Sequence, residues 1–341
     1  MLSRITERPT ALFLSAIGTG SLMGAVIPAT TPAADALTDP LIVILVTQIF
    51  FTLRLPPLLS PALTTLKNPG STPVVLAALL MNFVAIPVIT VAVTSLVLPP
   101  GPLQLGVFLY CLFPCTDWFL GFTRAADGDT AVGGLLIPLQ MAAQVLLYPV
   151  WLGVLPELTG ATEVGTTGAS TIYGSPEVTS TLAFYVLIPA CAGIGLQVLS
   201  RRSRMARWAR DTADDLVPVT LAAIIMCLFT GNVSSLLVRP ADTLLILVTV
   251  FIFFVAAYLL GEGTARALGL PYPEKSLLVI TTSARNAPLM IALTSAFLPE
   301  HPEVTAVLAV GMLVEFPHLC TVTHLLRRQC RSLPATVSHT R

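Results

Sequence analysis

Three ionisable side chains interrupt otherwise apolar stretches: Asp117 in FPCTDWFLGF (113–122), Arg285 in TTSARNAPLM (281–290) and Glu315 in GMLVEFPH (311–318). A charge in a lipid-spanning segment costs roughly 2.5–3.5 kcal/mol even on the lenient insertion scale, so such groups face a cavity, find a partner and mark function. Together the three can shape a charged chamber, and Glu315 is a candidate proton carrier. Small polar groups accompany them: the Cys115 thiol, the hydroxyls of Thr116, Thr281, Thr282 and Ser283, the Asn286 amide, and Gln140 at a depth comparable to Glu315. That set suits a small solute. It does not read as a catalytic site, because no nucleophile motif with a base in reach is recognisable. His318 and His324 lack the companions of a metal cluster, and neither a metal nor a cofactor is expected. The bland alternative is that Asp117 and Arg285 merely clasp two helices and that Cys115 packs as a small hydrophobe.

Helix-breaking sequence positions these groups. Pro114 precedes Cys115, Thr116 and Asp117, and Pro288 follows Ser283, Arg285 and Asn286. Proline lacks an N–H and clashes one turn back, so each helix is expected to open there and free backbone groups that must be satisfied. At the start of a half-helix, backbone donors favour a thiolate, which raises the interest of Cys115. If the two broken segments cross, they enclose a polar chamber, and the simplest partner for Asp117 is Arg285.

The chain around these residues is membrane sequence. Of its 341 residues 55% are hydrophobic and 11% are charged, a balance that soluble domains do not show. A bilayer core about 30 Å thick needs roughly 20 apolar residues. The reading places about ten such stretches near 11–30, 39–55, 73–97, 104–123, 130–155, 180–200, 216–237, 242–266, 276–298 and 303–326. The first could be taken for a signal peptide, but the hairpin rhythm that follows favours a spanning helix. Arg4, Arg8, Arg54, Lys67, Arg124, Arg201, Arg202, Arg204, Arg207, Arg210, Arg266, Lys275, Arg327, Arg328, Arg331 and Arg341 fall in alternate loops, which puts both termini on the cytoplasmic side of the cell membrane. A net charge of zero offers no nucleic-acid surface. The expected partners are the lipid bilayer and a small-molecule or metalloid substrate.

The fold expected is therefore an all-α polytopic membrane protein of ten spans. A basic cytoplasmic loop at 201–215 divides it. Residues 1–200 hold spans 1–5 and span 6, 216–326 hold spans 7–10 of a second repeat that begins near 180, and 327–341 form a cytoplasmic tail. Five spans per half forces homologous halves to lie upside down relative to each other, the inverted-repeat geometry of many secondary transporters. Spans 4 and 9 are then the broken, crossing helices. The six cysteines show no CxxC spacing and read as buried small hydrophobes.

The run PCTDWFLGFTRAADGD (114–129) resembles the span-4 signature of the arsenite permease branch of the bile acid:sodium symporter superfamily. Gln144 and Tyr148 in QVLLYP and the LVEFP of span 10 fit the same branch. The resemblance implies two inverted halves, crossed spans 4 and 9, a core and a panel, and arsenite efflux in which Cys115 is essential and Glu315 is the span-10 glutamate. Substrate contacts would come from Cys115, Thr116, Asp117, Ser283, Arg285 and Asn286, with Gln140, Gln144, Tyr148, Thr281 and Thr282 lining the chamber. The chain departs from the branch at Pro288 and Arg285, where the branch usually has a glutamate just after the asparagine and no arginine before it. It also departs from the sodium-binding side of the superfamily, whose cation positions match Phe119, Leu120, Thr281 and Arg285; sodium needs oxygen ligands, so sodium-independent transport is expected. The second reading is a small organic anion transporter with Arg285 as the carboxylate receptor.

Overall fold

Proline and glycine set most helix boundaries. The computed structural model describes residues 9–27, 30–52, 72–116, 118–159, 187–200, 204–238, 240–298 and 300–332. Among them are α1 (Pro9–Val26), α2 (Thr31–Thr52), α3 (Thr72–Val97), α4 (Pro102–Leu112), α5 (Phe119–Ala125), α6 (Thr130–Thr159), α7 (Ile188–Ser200), α8 (Arg204–Val238), α9 (Pro240–Ala267), α10 (Tyr272–Ser283), α11 (Ala287–Phe297) and α12 (Pro302–Ser332). Several open on or next to a proline, whose missing N–H is no loss at a helix start. Gly101, at φ 144°, turns the chain from α3 into α4, and Gly269, at φ 61°, closes α9 with its neighbour Leu270 donating to Ala265 O. Asp129 caps α6 by accepting from the N–H groups of Ala131 and Val132, both at 3.0 Å. Among the described residues the fold is all-α, with a single isolated β-bridge and no strand.

Four described helical segments, Thr72–Val97, Thr130–Tyr148, Pro240–Ala267 and Pro302–Arg331, are long and apolar enough to cross a bilayer. Their outward faces suit lipid. On α3, Leu76, Leu80, Val84 and Val88 are all more than half exposed and recur every fourth residue, an uncovered apolar stripe that water would not tolerate.

Two bundles emerge from the packing. Helices α1, α2, α7 and α8 pack chiefly on one another, while α3–α6 and α9–α12 form a larger group; between the bundles the contact is mostly α8 on α12 and α2 on α11. Close glycine contacts lie inside each bundle. A side chain at Gly20 on α1 would strike the Met226 backbone of α8, one at Gly106 on α4 would meet Val307 of α12, and one at Gly261 on α9 would meet Thr282 of α10.

Helical structure runs beyond the stretches read as loops and tail. Residues 204–215 belong to α8, whose 35 residues span about 50 Å; alanine, arginine and methionine are strong helix formers, and Arg207/Asp211 and Arg210/Asp214 are spaced four apart. Likewise α2 begins at Thr31 and takes in Asp39, and α12 continues to Ser332.

Candidate functional site

The helix over 102–125 is interrupted between Leu112 and Phe119, and the helix over 272–297 is interrupted at Ala284–Asn286. The causes are local. Phe113, immediately before Pro114, is pushed into the extended region at φ −114°, ψ 140°. Pro288 would clash with the carbonyl four residues back, so Ala284 is extended at φ −91°, ψ 137° and the chain restarts as a helix only after Asn286. Asn286 then caps α11, its Oδ1 accepting from Leu289 N at 3.3 Å.

The two openings meet. Pro114 and Arg285 form an antiparallel β-bridge in which Cys115 N donates to Ala284 O at 2.9 Å and Asn286 N donates to Phe113 O at 3.0 Å. Of the backbone groups the bridging residues have left, side chains from flanking helices take two. Gln144 Nε2 on α6 donates to Pro114 O at 2.7 Å, and Arg285 N donates to Glu315 Oε1 of α12 at 2.9 Å. Buried backbone groups must be satisfied this way wherever a helix opens at membrane depth. The sequence reading sets Gln140 at a depth comparable to Glu315; in the structure Gln140 Nε2 donates to Thr281 Oγ1, and Gln144 is the α6 amide that bonds the bridge.

Glu315 is fully buried and accepts two further bonds, from Tyr110 Oη to Oε2 at 2.7 Å and from Trp118 Nε1 to Oε1 at 3.1 Å. Tyr110 reaches it across Gly311, one turn before Glu315, where a Cβ would lie 2.7 Å from the ring. Gly311→Ala should therefore swing Tyr110 off the carboxylate and lower stability by about 1–3 kcal/mol. The check is a double-mutant cycle of melting temperatures with Tyr110→Phe, where the second change should add little in the Gly311→Ala background.

On the other face, Asn286 Nδ2 donates to Thr116 Oγ1 at 3.1 Å and to Gln144 Oε1 at 2.6 Å, and Thr116 Oγ1 donates to the Met141 sulfur at 3.1 Å. Cys115, beside Thr116, is fully buried. Tyr148 is buried one turn beyond Gln144, its hydroxyl 3.1 Å from that of Thr294 and its ring packed on that of Phe113 with centroids 6.4 Å apart.

Arg285 is fully buried and its guanidinium turns toward α3. Nη1 donates to Cys111 O at 3.1 Å; Nη2 donates to Asn82 Oδ1 at 3.1 Å, Thr281 O at 3.2 Å and Thr282 O at 2.6 Å. The Phe253 ring covers it, with the guanidinium carbon 5.7 Å from the centroid. Three of these acceptors are carbonyls in the last turns of α4 and α10, the negative ends of two half-helices. Asn82 sits in a π-helical turn, Met81–Ala85, where Ile86 N bonds Met81 O. The wide turn lies just ahead of Pro87, which cannot donate one turn back. Asp117 and its expected pairing with Arg285 lie outside the described residues.

The structure thus brings Cys115, Thr116, Gln140, Gln144, Thr281, Thr282, Arg285, Asn286 and Glu315 to one crossing, with Ser283 in the same segment. It adds Asn82, Tyr110, Trp118 and Met141. Asn82 had a signal, as the lone amide in VVLAALLMNFVAIPV (74–88); Trp118 and Met141 had none, because aromatic and thioether side chains are ordinary in membrane helices. Comparison with curated proteins finds no significant match. Residues 11–330 match the SBF-like CPA transporter family, and the chain, an all-α membrane protein built on this crossing, belongs to that transporter family.

Proposed function

We propose that the protein is a secondary active transporter that works by alternating access, with ten crossings in two inverted halves and its substrate taken at the crossing of the interrupted helices. One observation carries this reading: the β-bridge between Pro114 and Arg285, whose Pro114 carbonyl is bonded by a side chain from α6 and whose Arg285 N–H is bonded by one from α12. Equivalent roles for Gln144 and Glu315, one helix after each interruption, are what an inverted repeat entails. The two bundles supply the parts that move, since their internal contacts are close and the seam between them is sparse.

The substrate class we favour is arsenite or a similar metalloid, exported without sodium. Support comes from Cys115 beside the bridge, in the PCTDWFLGF resemblance; trivalent arsenic bonds thiol sulfur. Arg285 speaks for sodium independence, because its guanidinium is the cation that the carbonyl ends of α4 and α10 require. The same bonds weaken the organic-anion reading, since both terminal nitrogens of Arg285 already have acceptors. Glu315 would carry the coupling proton: protonated at Oε2 it would donate to Tyr110 Oη, which can turn to accept.

The test is arsenite accumulation and growth in cells lacking their own arsenite pumps. Cells with this protein should accumulate less arsenite, and Cys115→Ser should return accumulation to the background level. Equal accumulation with and without the protein, at confirmed membrane expression, removes the metalloid reading. Stimulation of transport by sodium removes sodium independence.

A further inference from the structure

Side chains from α6 and α12 bond the bridge backbone, yet four side-chain atoms around it lack partners. Asn82 Nδ2, Gln140 Oε1, Ser283 Oγ and Arg285 Nε have no hydrogen-bond partner, and all four residues are fully buried. Three of the residues are linked by one continuous chain of bonds, and Ser283 adjoins them in sequence. Gln140 Nε2 donates to Thr281 Oγ1 at 3.0 Å, Thr281 O accepts from Arg285 at 3.2 Å, and Asn82 Oδ1 accepts from the same Arg285 nitrogen at 3.1 Å. Ser283 lies between Thr282, another acceptor of that nitrogen, and Arg285 itself. Buried polar atoms without partners are few in native proteins, and a group of them in one place calls for a polar visitor.

We infer that these four atoms form a second face of the binding site, one that recognises the hydroxyl groups of a small, uncharged, hydroxylated solute. The inference rests on the proposed transport site and adds to it the recognition of hydroxyls independently of sulfur. Two of the atoms donate (Asn82 Nδ2 and Arg285 Nε), one accepts (Gln140 Oε1), and the serine hydroxyl does either. A carboxylate presents acceptors only and would leave Gln140 Oε1 facing another acceptor. A metal cation needs acceptors only and would be repelled by the guanidinium. Hydroxyls that both give and take a hydrogen bond satisfy all four, and burial lets the site exclude a hydrated ion.

The experiment titrates purified full-length protein with two probes at neutral pH, arsenite and boric acid. Both are uncharged trihydroxides there, and only arsenite binds thiols. The wild type should bind both. Ser283→Ala and Asn82→Asp, the latter keeping the oxygen that Arg285 uses, should each weaken both probes by about tenfold. Cys115→Ser should weaken arsenite alone. Ser283→Ala should melt at or above the wild-type temperature, because it deletes an unsatisfied hydroxyl; a merely structural serine would not combine lost affinity with retained stability. Wild-type affinity for both probes in Ser283→Ala and Asn82→Asp overturns the inference, as does failure of the wild type to bind boric acid. Binding of boric acid without arsenite leaves the inference standing and removes the metalloid reading instead.

Discussion

Replacing Arg285 with methionine should cost about 3–5 kcal/mol of stability, enough to remove most folded protein from the membrane. Exchanging a buried ionic group for an apolar one is harmless only when its partners are exchanged too. Here three of the partners are backbone carbonyls, of Cys111, Thr281 and Thr282, which no substitution removes. They would be left facing hydrocarbon at the ends of two half-helices, together with Asn82 Oδ1. Arg285→Lys keeps the charge but not the planar fork that reaches four oxygens, so it should fall between. Arg285→Ser distinguishes the electrostatic role from simple packing. It leaves the oxygens and opens space among them, so its melting temperature should rise when sodium chloride replaces choline chloride, while the wild type should not respond. A melting temperature for Arg285→Met close to wild type, or a sodium response in the wild type, contradicts the assignment of Arg285 as the internal cation.

Glu315→Ala should abolish transport and destabilise the crossing, because the Arg285 N–H, the Trp118 indole N–H and the Tyr110 hydroxyl would lose their acceptor at once. Glu315→Gln is the sharper test. A glutamine can keep Oε1 for Arg285 and Trp118 and turn its amide toward Tyr110, whose hydroxyl then accepts. The fold should survive with a melting temperature within a few degrees of wild type, since the bond count is unchanged. What the amide cannot do is release a proton. Reconstituted Glu315→Gln protein should therefore lose transport driven by a pH gradient, by at least about a hundredfold, and retain exchange of substrate for substrate. Loss of both activities would reduce Glu315 to a clamp on the bridge, and retention of gradient-driven transport would move the proton elsewhere.

Much of the crossing was legible in the sequence because its causes are local. Pro114 and Pro288 dictate where a helix must open, and Arg285 and Glu315 stand out against apolar neighbours for the price of burying a charge. Residues whose role comes from the company they keep were not legible in that way. Asn82 serves Arg285 only because a π-helical turn before Pro87 swings it inward, and Trp118 and Tyr110 become ligands of Glu315 only through packing, the latter across a glycine on another helix. The partners of Arg285 are mostly main-chain carbonyls, which every residue carries and no sequence pattern advertises. Helix ends were misjudged for a related reason: residues 204–215 look like a charged connection, yet their helix propensity continues α8 through them. By itself the sequence determined an apolar, helical, membrane-crossing chain with two forced interruptions and a few costly polar groups, because composition and proline chemistry act residue by residue. Only the tertiary structure decided that the two interruptions pair as a β-bridge, that Gln144 and Glu315 close it, and that Arg285 turns to the carbonyl ends of α4 and α10, because hydrogen bonds between residues far apart in sequence form only where packing brings them within about 3 Å.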